Sequence, residues 1–379
     1  MYLRVTPREN AHHRKSKLGC PPLIYGLSNN PANLVVEGFF CAHMFHFRFL
    51  LLFSRADLPM TQNTPRIETL SPSRTHVILS LNPKAGRRSS HERAEILAET
   101  LRKGGLEVEI LTDLALVAER ANALHREGKL RALIGVGGDG TAAELTNRTE
   151  PGVPIALLPS GTANILAKRL KYSFDPRKFA KLILAGRVME MDAVQANGRI
   201  FLVMIGCGFD AEVVNQVHAA RMSNPKGAHI NYLSYMKPIF RSIFSYRFPK
   251  VRIEFLDDAG DPTGETYDRP WAFICNIPKY GWGIPIAPGA KEWDGELNVC
   301  LWRGGSLWSG SLLSLMAQLG GLHRFWWRCT MRKGRNFRLT LAPGQRANAV
   351  VPFQLDGDPG GDLPVEVRIL EKRLTVFVK

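Results

Sequence analysis

The 379-residue chain has only six cysteines, and no two of them form a C-x-x-C pair. Cys20, Cys41, Cys207, Cys275, Cys300 and Cys329 are spread along its length. That spread argues against a zinc site and a disulfide framework, and fits a reducing cytoplasm. An uninterrupted apolar run long enough for a membrane span is also lacking. The most apolar stretch near the start, Leu34 to Phe53, carries Glu37, His43, His46 and Arg48, and central charges are costly in a bilayer. It lies too far in, and has no small-residue cleavage site, for an ordinary signal peptide. The G-x-x-x-x-G-K-[ST] pattern of a P-loop does not occur. Internal repeats and low-complexity tracts are absent as well. Acid is scarce: 34 Asp and Glu against 50 Lys and Arg leave a formal charge of +16. Such an excess calls for an anionic partner, whether nucleic acid, a phosphorylated ligand or an acidic membrane surface. No nucleic-acid-binding motif accompanies the charge, so nucleic acid is not expected.

What is present is an ordinary globular composition, 45% hydrophobic, with length for two domains. From His76 the pattern alternates strand and helix. HVILSLN, LEVEILT, RALIGV and PIALLPS read as strands, and the segments between them have helical spacing. This alternation predicts a doubly wound parallel α/β domain over residues 74–188. After Met189 the character changes to antiparallel β. Asn197-Gly198 between two apolar runs is a hairpin signal, and VRIEFLDDAGDPTGETYD reads as two strands around a turn. A helical insert spans about 211–246. The fold class expected is therefore α/β plus β: a nucleotide-type α/β domain, a β-rich sandwich domain over 189–360, and C-terminal strands (361–379) returning to the first domain. Residues 1–73 show no clear periodicity. They are expected to be a poorly ordered, dispensable extension, with the folded part beginning near Arg74.

Three loops follow predicted parallel strands, where open α/β sheets bind ligands. They are LNPKAGRRSS after the first strand, GGDGT (Gly137 to Thr141), and PSGTAN (Pro159 to Asn164). Each combines glycine with Ser, Thr or Asn just before a helix. Glycine permits close backbone approach, and the free N–H groups at a helix start face an anion. A bare carboxylate beside phosphates would be repelled, so Asp139 calls for a counter-charge, most economically Mg²⁺. Further on, LDGDP holds Asp356 and Asp358. In isolation this is a turn using D-G; functionally it would supply a general base with an acidic neighbour. APGAKEWDGELNV holds Asp294, which reads equally as a surface turn or an oxygen-rich metal site.

Taken in order, these motifs resemble the diacylglycerol kinase catalytic-domain family, which includes bacterial diacylglycerol and lipid kinases and the sphingosine kinases. The residues that carry the resemblance are NPKAG (82–86), GVGGDGTAAEL (135–145), LPSGTANILA (158–167), GCGFDAEV (206–213), APGAKEWDGELNV (287–299) and LDGD (355–358). It implies an NAD kinase-like α/β domain and a β-rich lipid domain with ATP in the cleft between them. Carried over residue by residue, it implies nucleotide binding by Asn82, Pro83, Lys84, Ala85 and Gly86. It implies the same for Gly138, Asp139, Gly140, Thr141, Ala142, Ala143, Glu144 and Thr162, with Thr112 a further candidate. Asp139 would hold the catalytic Mg²⁺. Asp356 and Asp358 are candidates for the base. Asp294, with the carbonyls of Lys291 and Glu296, would match a structural Mg²⁺ loop. The chain departs from the family pattern where Asp358 replaces the usual glutamate. It departs again where Trp293 and Asn298 replace the two acids flanking the metal loop.

The expected activity is transfer of the γ-phosphoryl group of ATP to a lipid hydroxyl, on diacylglycerol or a sphingoid-type lipid, by a cytoplasmic, peripherally membrane-associated enzyme. Leu322 to Arg338 joins Phe325, Trp326 and Trp327 to six Arg and Lys with no acid, the composition of an interfacial membrane patch. Two alternatives stay open. One is an NAD kinase-like enzyme with a soluble substrate; the other is a non-catalytic, nucleotide-regulated lipid-binding protein. The acceptor lipid and the oligomeric state, a homodimer included, are left open by the sequence.

Overall fold

The computed structural model describes residues 64–379, apart from 82–87, 223–245 and 347–348. The NPKAG stretch and most of the helical insert lie outside the described residues. The four strands predicted as parallel are β2 (His76–Leu81), β3 (Glu107–Leu111), β4 (Leu130–Gly137) and β5 (Pro154–Pro159). They pair in parallel in the spatial order β5-β4-β2-β3. β2, β4 and β5 are buried along nearly their whole length, as strands covered on both faces must be. On one face α1 (Arg88–Lys103) and α5 (Pro176–Ala185) cover them through Leu97, Leu101, Phe179 and Ile183. On the other, α2 (Leu114–Arg126) and α3 (Asp139–Arg148) pack Val117, Leu124 and Leu145 against Ile78, Leu133 and Ile155.

The remaining strands pair antiparallel, as the sequence predicts, except that the last of them also pairs in parallel with β5. β6 (Arg187–Ala196) and β7 (Arg199–Phe201) form the Asn197-Gly198 hairpin, with φ of 45° and 86° at the turn. Positive φ at both central residues is the twist-compatible hairpin turn. β8 (Met204–Gly208), β11 (Trp271–Cys275), β12 (Leu297–Trp302), β13 (Cys329–Gly334), β15 (Pro352–Leu355) and β16 (Asp358–Asp362) make a six-stranded sheet in the order β13-β12-β11-β8-β15-β16. β9 (Val251–Leu256), β10 (Pro262–Arg269), β14 (Asn336–Leu341) and β17 (Val365–Phe377) join β6 and the parallel strands in one eleven-stranded sheet. The two sheets enclose a shared core of Ile253, Phe337 and Val367 facing Ile205, Ile274, Val299 and Phe353.

The C-terminal strand returns to the parallel strands: β17 pairs antiparallel with β6 and β14 and parallel with β5, Val376 opposite Ile155. The change of character near Met189 does not divide the eleven-stranded sheet, because β6 spans that point. The described fold also begins ahead of Arg74. β1 (Ile67–Thr69) pairs with β6, and the buried Arg131 side chain donates to the carbonyls of Leu70, Ile183 and Leu184. β1 keeps all its side chains exposed, so apolar periodicity could not reveal it. α6 (Phe209–Met222) opens the helical insert, and α7 (Leu307–Gln318) lies between β12 and β13.

Candidate active site

Because β5, β4 and β2 are neighbours, the chain segments leaving their carboxyl ends emerge side by side. Two are described, and they touch through glycine. A methyl group built on Gly161 would lie 2.7 Å from the Gly138 Cα, and one on Gly138 would lie 3.2 Å from the Gly161 Cα. These positions are therefore closed to side chains by each other. Glycine in GGDGT was expected to admit a nucleotide; here it first admits the neighbouring loop. Ser160 N donates to Gly137 O at 2.9 Å, and buried Asn164 closes the second loop by accepting from Gly161 N and donating to Gly161 O.

Asp139 locks the two loops together. It is buried at the first turn of α3, and its oxygens accept from Ile165 N at 2.9 Å and Leu166 N at 2.8 Å. These are the first N–H groups of α4 (Ile165–Arg169). The helix start after PSGTAN, expected to face phosphate, is thus occupied by a carboxylate from the adjacent loop. Burial raises the Asp139 pKa, and the two backbone N–H groups oppose that shift. At its other end α4 is held by Arg169, whose Nε lies 2.8 Å from the buried Glu292 carboxylate.

The LDGD turn arrives from the six-stranded sheet. Asp356 and Gly357 have φ of 55° and 90° and connect β15 to β16 in a two-residue turn. The D-G turn and the candidate base are therefore one feature. Asp356 Oδ1 accepts from Val203 N at 2.8 Å and Met204 N at 3.0 Å, and Oδ2 from Leu202 N at 2.8 Å. Burial nevertheless pushes its pKa up to about 7, and the negative charge of Asp139 adds to the shift. Asp358 points at the nucleotide-type loop, its Oδ2 lying 3.2 Å from where a Gly140 methyl would be. Asp139, Asp356 and Asp358 therefore meet at the start of α3 from two different sheets.

One contributor escaped the sequence reading as a site residue. Asp210, in the first turn of α6, accepts from Tyr280 OH at 3.2 Å and from Gln354 Nε2 at 3.1 Å. Gln354 is fully buried and accepts from Gly357 N at 2.7 Å, so this network reaches the D-G turn. Burial pushes Asp210 up to about 6. Its signal was the GCGFDAEV motif, which carries the residue without disclosing its contacts.

The other expected site residues fall out differently. Thr162 is exposed on the second loop, and Thr112 is exposed just past β3, at the far edge of the parallel strands. Ala142 and Ala143 are buried against the sheet, and Glu144 pairs with Arg148 one turn on. Asn82, Pro83, Lys84, Ala85 and Gly86 lie outside the described residues.

The ligand oxygens of Asp139, Asp356 and Asp358 do not all lie within 4.8 Å of one another, so these carboxylates alone do not enclose an ion. Asp358, which accepts no hydrogen bond from the described residues, is the acid left to hold a divalent ion together with phosphate oxygens. The Asp294 loop does not fit one. Lys333 Nζ lies 3.0 Å from Asp294 Oδ2 and 2.6 Å from Glu296 Oε2, so an ammonium already bridges these acids. Lys291, at the start of that loop, is exposed. Asp192, not a bound cation, braces the turn by accepting from Gly295 N and Lys372 N.

The basic aromatic segment is also altered by the fold. Of its six cations, Arg332 pairs with Glu265, Lys333 with Asp294 and Glu296, Arg335 with Asp258 and Glu371, and Arg338 with Glu366. Only Arg324 and Arg328 have no acidic partner among the described residues, and they lie over the Phe325 and Trp327 rings. Trp326 turns inward onto Trp302. Exposed Trp308, Leu312 and Leu315 of α7, followed at the same spacing by Leu319 just past its end, add an apolar stripe from just upstream. Among the described residues no helix is long and apolar enough to cross a membrane.

Comparison with known proteins agrees with this architecture. The diacylglycerol kinase catalytic domain family model matches residues 76–196, and the YegS C-terminal NAD kinase beta sandwich-like domain model matches 203–378. A diacylglycerol kinase of Staphylococcus epidermidis is 25% identical over 287 residues, covering 73% of this chain and 84% of that protein. Diacylglycerol kinase zeta of Rattus norvegicus is 26% identical over 361 residues, covering 82% of this chain. The match spans 36% of the length of the rat protein. The fold is that of a crystal structure of a diacylglycerol kinase from Bacillus anthracis, with a TM-score of 0.55, 19% identity, and coverage of 80% and 97% of the two chains. The diacylglycerol kinase catalytic domain model and the YegS C-terminal domain model follow one another along the chain and together span most of it, so the chain carries the two domains of the diacylglycerol kinase catalytic-domain family.

Proposed function

We propose that the chain transfers the γ-phosphoryl group of ATP to a lipid hydroxyl, with Asp356 as the general base. The observation that carries this reading is the meeting of Asp139, Asp356 and Asp358 at the first turn of α3. Asp356 Oδ2 accepts a single backbone N–H, which leaves a lone pair for a substrate hydroxyl. A pKa near 7 suits proton acceptance at neutral pH. The network of Asp210 and Gln354 holds the turn that carries this base. Asp139 ties the two loops so that the N–H groups at the start of α3 keep a fixed direction toward the nucleotide. Mg²⁺, when held by Asp358 with the phosphates, would offset the charge that develops in transfer. Positioning and electrostatics account for most of the catalysis in such reactions.

Access to a lipid acceptor would come through the aromatic face. Trp308, Phe325 and Trp327 are 84%, 66% and 67% exposed, and α7 carries no charged residue. With Arg324 and Arg328 beside the rings, this face suits an anionic bilayer surface. The test is a panel of diacylglycerol, sphingoid bases and NAD with γ-labelled ATP, the lipids in mixed micelles. Label in a lipid supports the reading. Label in NAD alone, or nucleotide binding without transfer to any acceptor, overturns it.

A further inference from the structure

A second cluster of metal-ligating side chains lies at the opposite edge of the six-stranded sheet from the D-G turn. Cys329 opens β13 and pairs with Trp302. Cys300, two residues earlier on β12, therefore lies diagonally across on the same face. Their sulfurs are 3.7 Å apart. His323 reaches them from the short 3₁₀ helix Leu322–Phe325, and one ligand atom from each of the three residues lies within 4.8 Å of the others.

The imidazole is prepared for a ligand. Nε2 lies 2.9 Å from the carbonyl of Ile286. A carbonyl only accepts, so Nε2 carries the proton and Nδ1 the lone pair. His323 is fully buried, and that Nδ1 has no hydrogen-bond partner among the described residues. A buried acceptor left unpaired costs folding free energy, whereas a histidine that ligates a metal typically gives its other N–H to just such a carbonyl. The sulfurs are far beyond the roughly 2.0 Å of a disulfide. Their separation matches the about 3.8 Å expected for two sulfurs bound at about 2.3 Å to one tetrahedral zinc.

We propose that Cys300, His323 and Cys329 form a Zn²⁺ site, with both thiolates and the histidine Nδ1 as ligands. Binding releases the two thiol protons to solvent, and two thiolates neutralise the dication, which suits a largely buried position. Cys329, only partly buried, leaves one side where water completes the coordination. The absence of a C-x-x-C pair pointed away from zinc, but strand pairing joins cysteines 29 residues apart. The metal would staple β12, β13 and the 3₁₀ helix together. It would thereby fix the segment that displays Phe325 and Trp327, independently of the phosphoryl-transfer cleft.

The test uses the full chain, purified under reducing conditions. Elemental analysis and competition with a chromogenic chelator should find one tightly held zinc per chain. Replacing the zinc with Co²⁺ should give the intense near-ultraviolet absorption of cobalt–thiolate bonds. Cys329→Ser should abolish that absorption and weaken zinc binding by more than about tenfold, with the fold checked by circular dichroism. Should that variant unfold, hydrogen exchange on the wild type with and without chelator still decides, since metal removal should speed exchange across 322–329. A folded, reduced wild type that binds no zinc and shows no cobalt–thiolate band overturns the site. So does zinc binding unchanged in Cys329→Ser, or a Cys300–Cys329 disulfide found by mass spectrometry in the isolated protein.

Discussion

At Asp139 both carboxylate oxygens are committed to the backbone of α4, so replacing the residue acts on stability as well as activity. Asp139→Ala leaves the Ile165 and Leu166 N–H groups without their acceptor. The expected cost is about 2–4 kcal/mol, from two hydrogen bonds to a charged group, visible as a lower denaturant midpoint together with lost activity. An unchanged midpoint would deny the loop-locking role. Asp356 is governed by burial instead. With its pKa near 7, the base is protonated in acid, so log kcat/KM for nucleotide should rise with unit slope and level off above about pH 7. A profile flat from about pH 5 upward would place an ordinary carboxylate there. The stability consequence runs the other way. The native state holds a proton that the unfolded chain gives up near the ordinary aspartate value of 3.8, so this contribution is full below that pH and fades as pH rises through about 7. Neither partner set was visible in sequence. Residue type and spacing identified both aspartates, but the backbone N–H donors they meet lie 26 and 154 residues away.

At the level of elements, the readable parts are those whose signals are local. Asn197-Gly198 announces its hairpin because its two positive φ angles suit few residues. The parallel strands announce themselves by apolar runs between helical spacings. α7 was passed over because LWSGSLLSLMAQ has no charge to mark a polar face. In the basic segment the ion pairs are hidden for the opposite reason: the acids that pair with Arg332, Lys333, Arg335 and Arg338 come from other strands and loops, which composition cannot register. Loop-to-loop contact was equally hidden, yet it makes a sharp prediction. Gly161→Ala inserts a methyl 2.7 Å from Gly138 Cα, backbone that cannot swing aside. Overpacking of this kind costs about 1–3 kcal/mol, and separation of the loops should lower nucleotide affinity more than thermal stability. Nucleotide titration alongside a melting curve checks this. At the far end of α4, Arg169→Ala leaves the Glu292 carboxylate buried without its partner. A loss of about 3–5 kcal/mol is expected in denaturant unfolding.

Across the whole molecule, β17 makes one sheet of what the sequence divides at Met189. It pairs with β5 on the nucleotide side and with β14 and β6 on the β-rich side. The cleft is thereby framed by one sheet bearing Asp139 and a second bearing Asp356. The aromatic face should behave as a separable device. Replacing Trp308 and Trp327 together by Ala should reduce binding to anionic vesicles by at least tenfold, given about 1.5–3 kcal/mol for each large apolar side chain withdrawn from water. Turnover on a dispersed short-chain lipid should be retained. Sedimentation with vesicles of graded anionic content measures the first and a micellar assay the second. The central claim is that the D-G turn of the second sheet supplies the base to a nucleotide bound by the first. Single-turnover transfer from γ-labelled ATP to the preferred lipid, comparing wild type with Asp356→Asn, tests it most directly. Nucleotide binding within a few-fold of wild type and transfer slowed by about 10²–10⁴ are expected. Transfer within tenfold of wild type would contradict it.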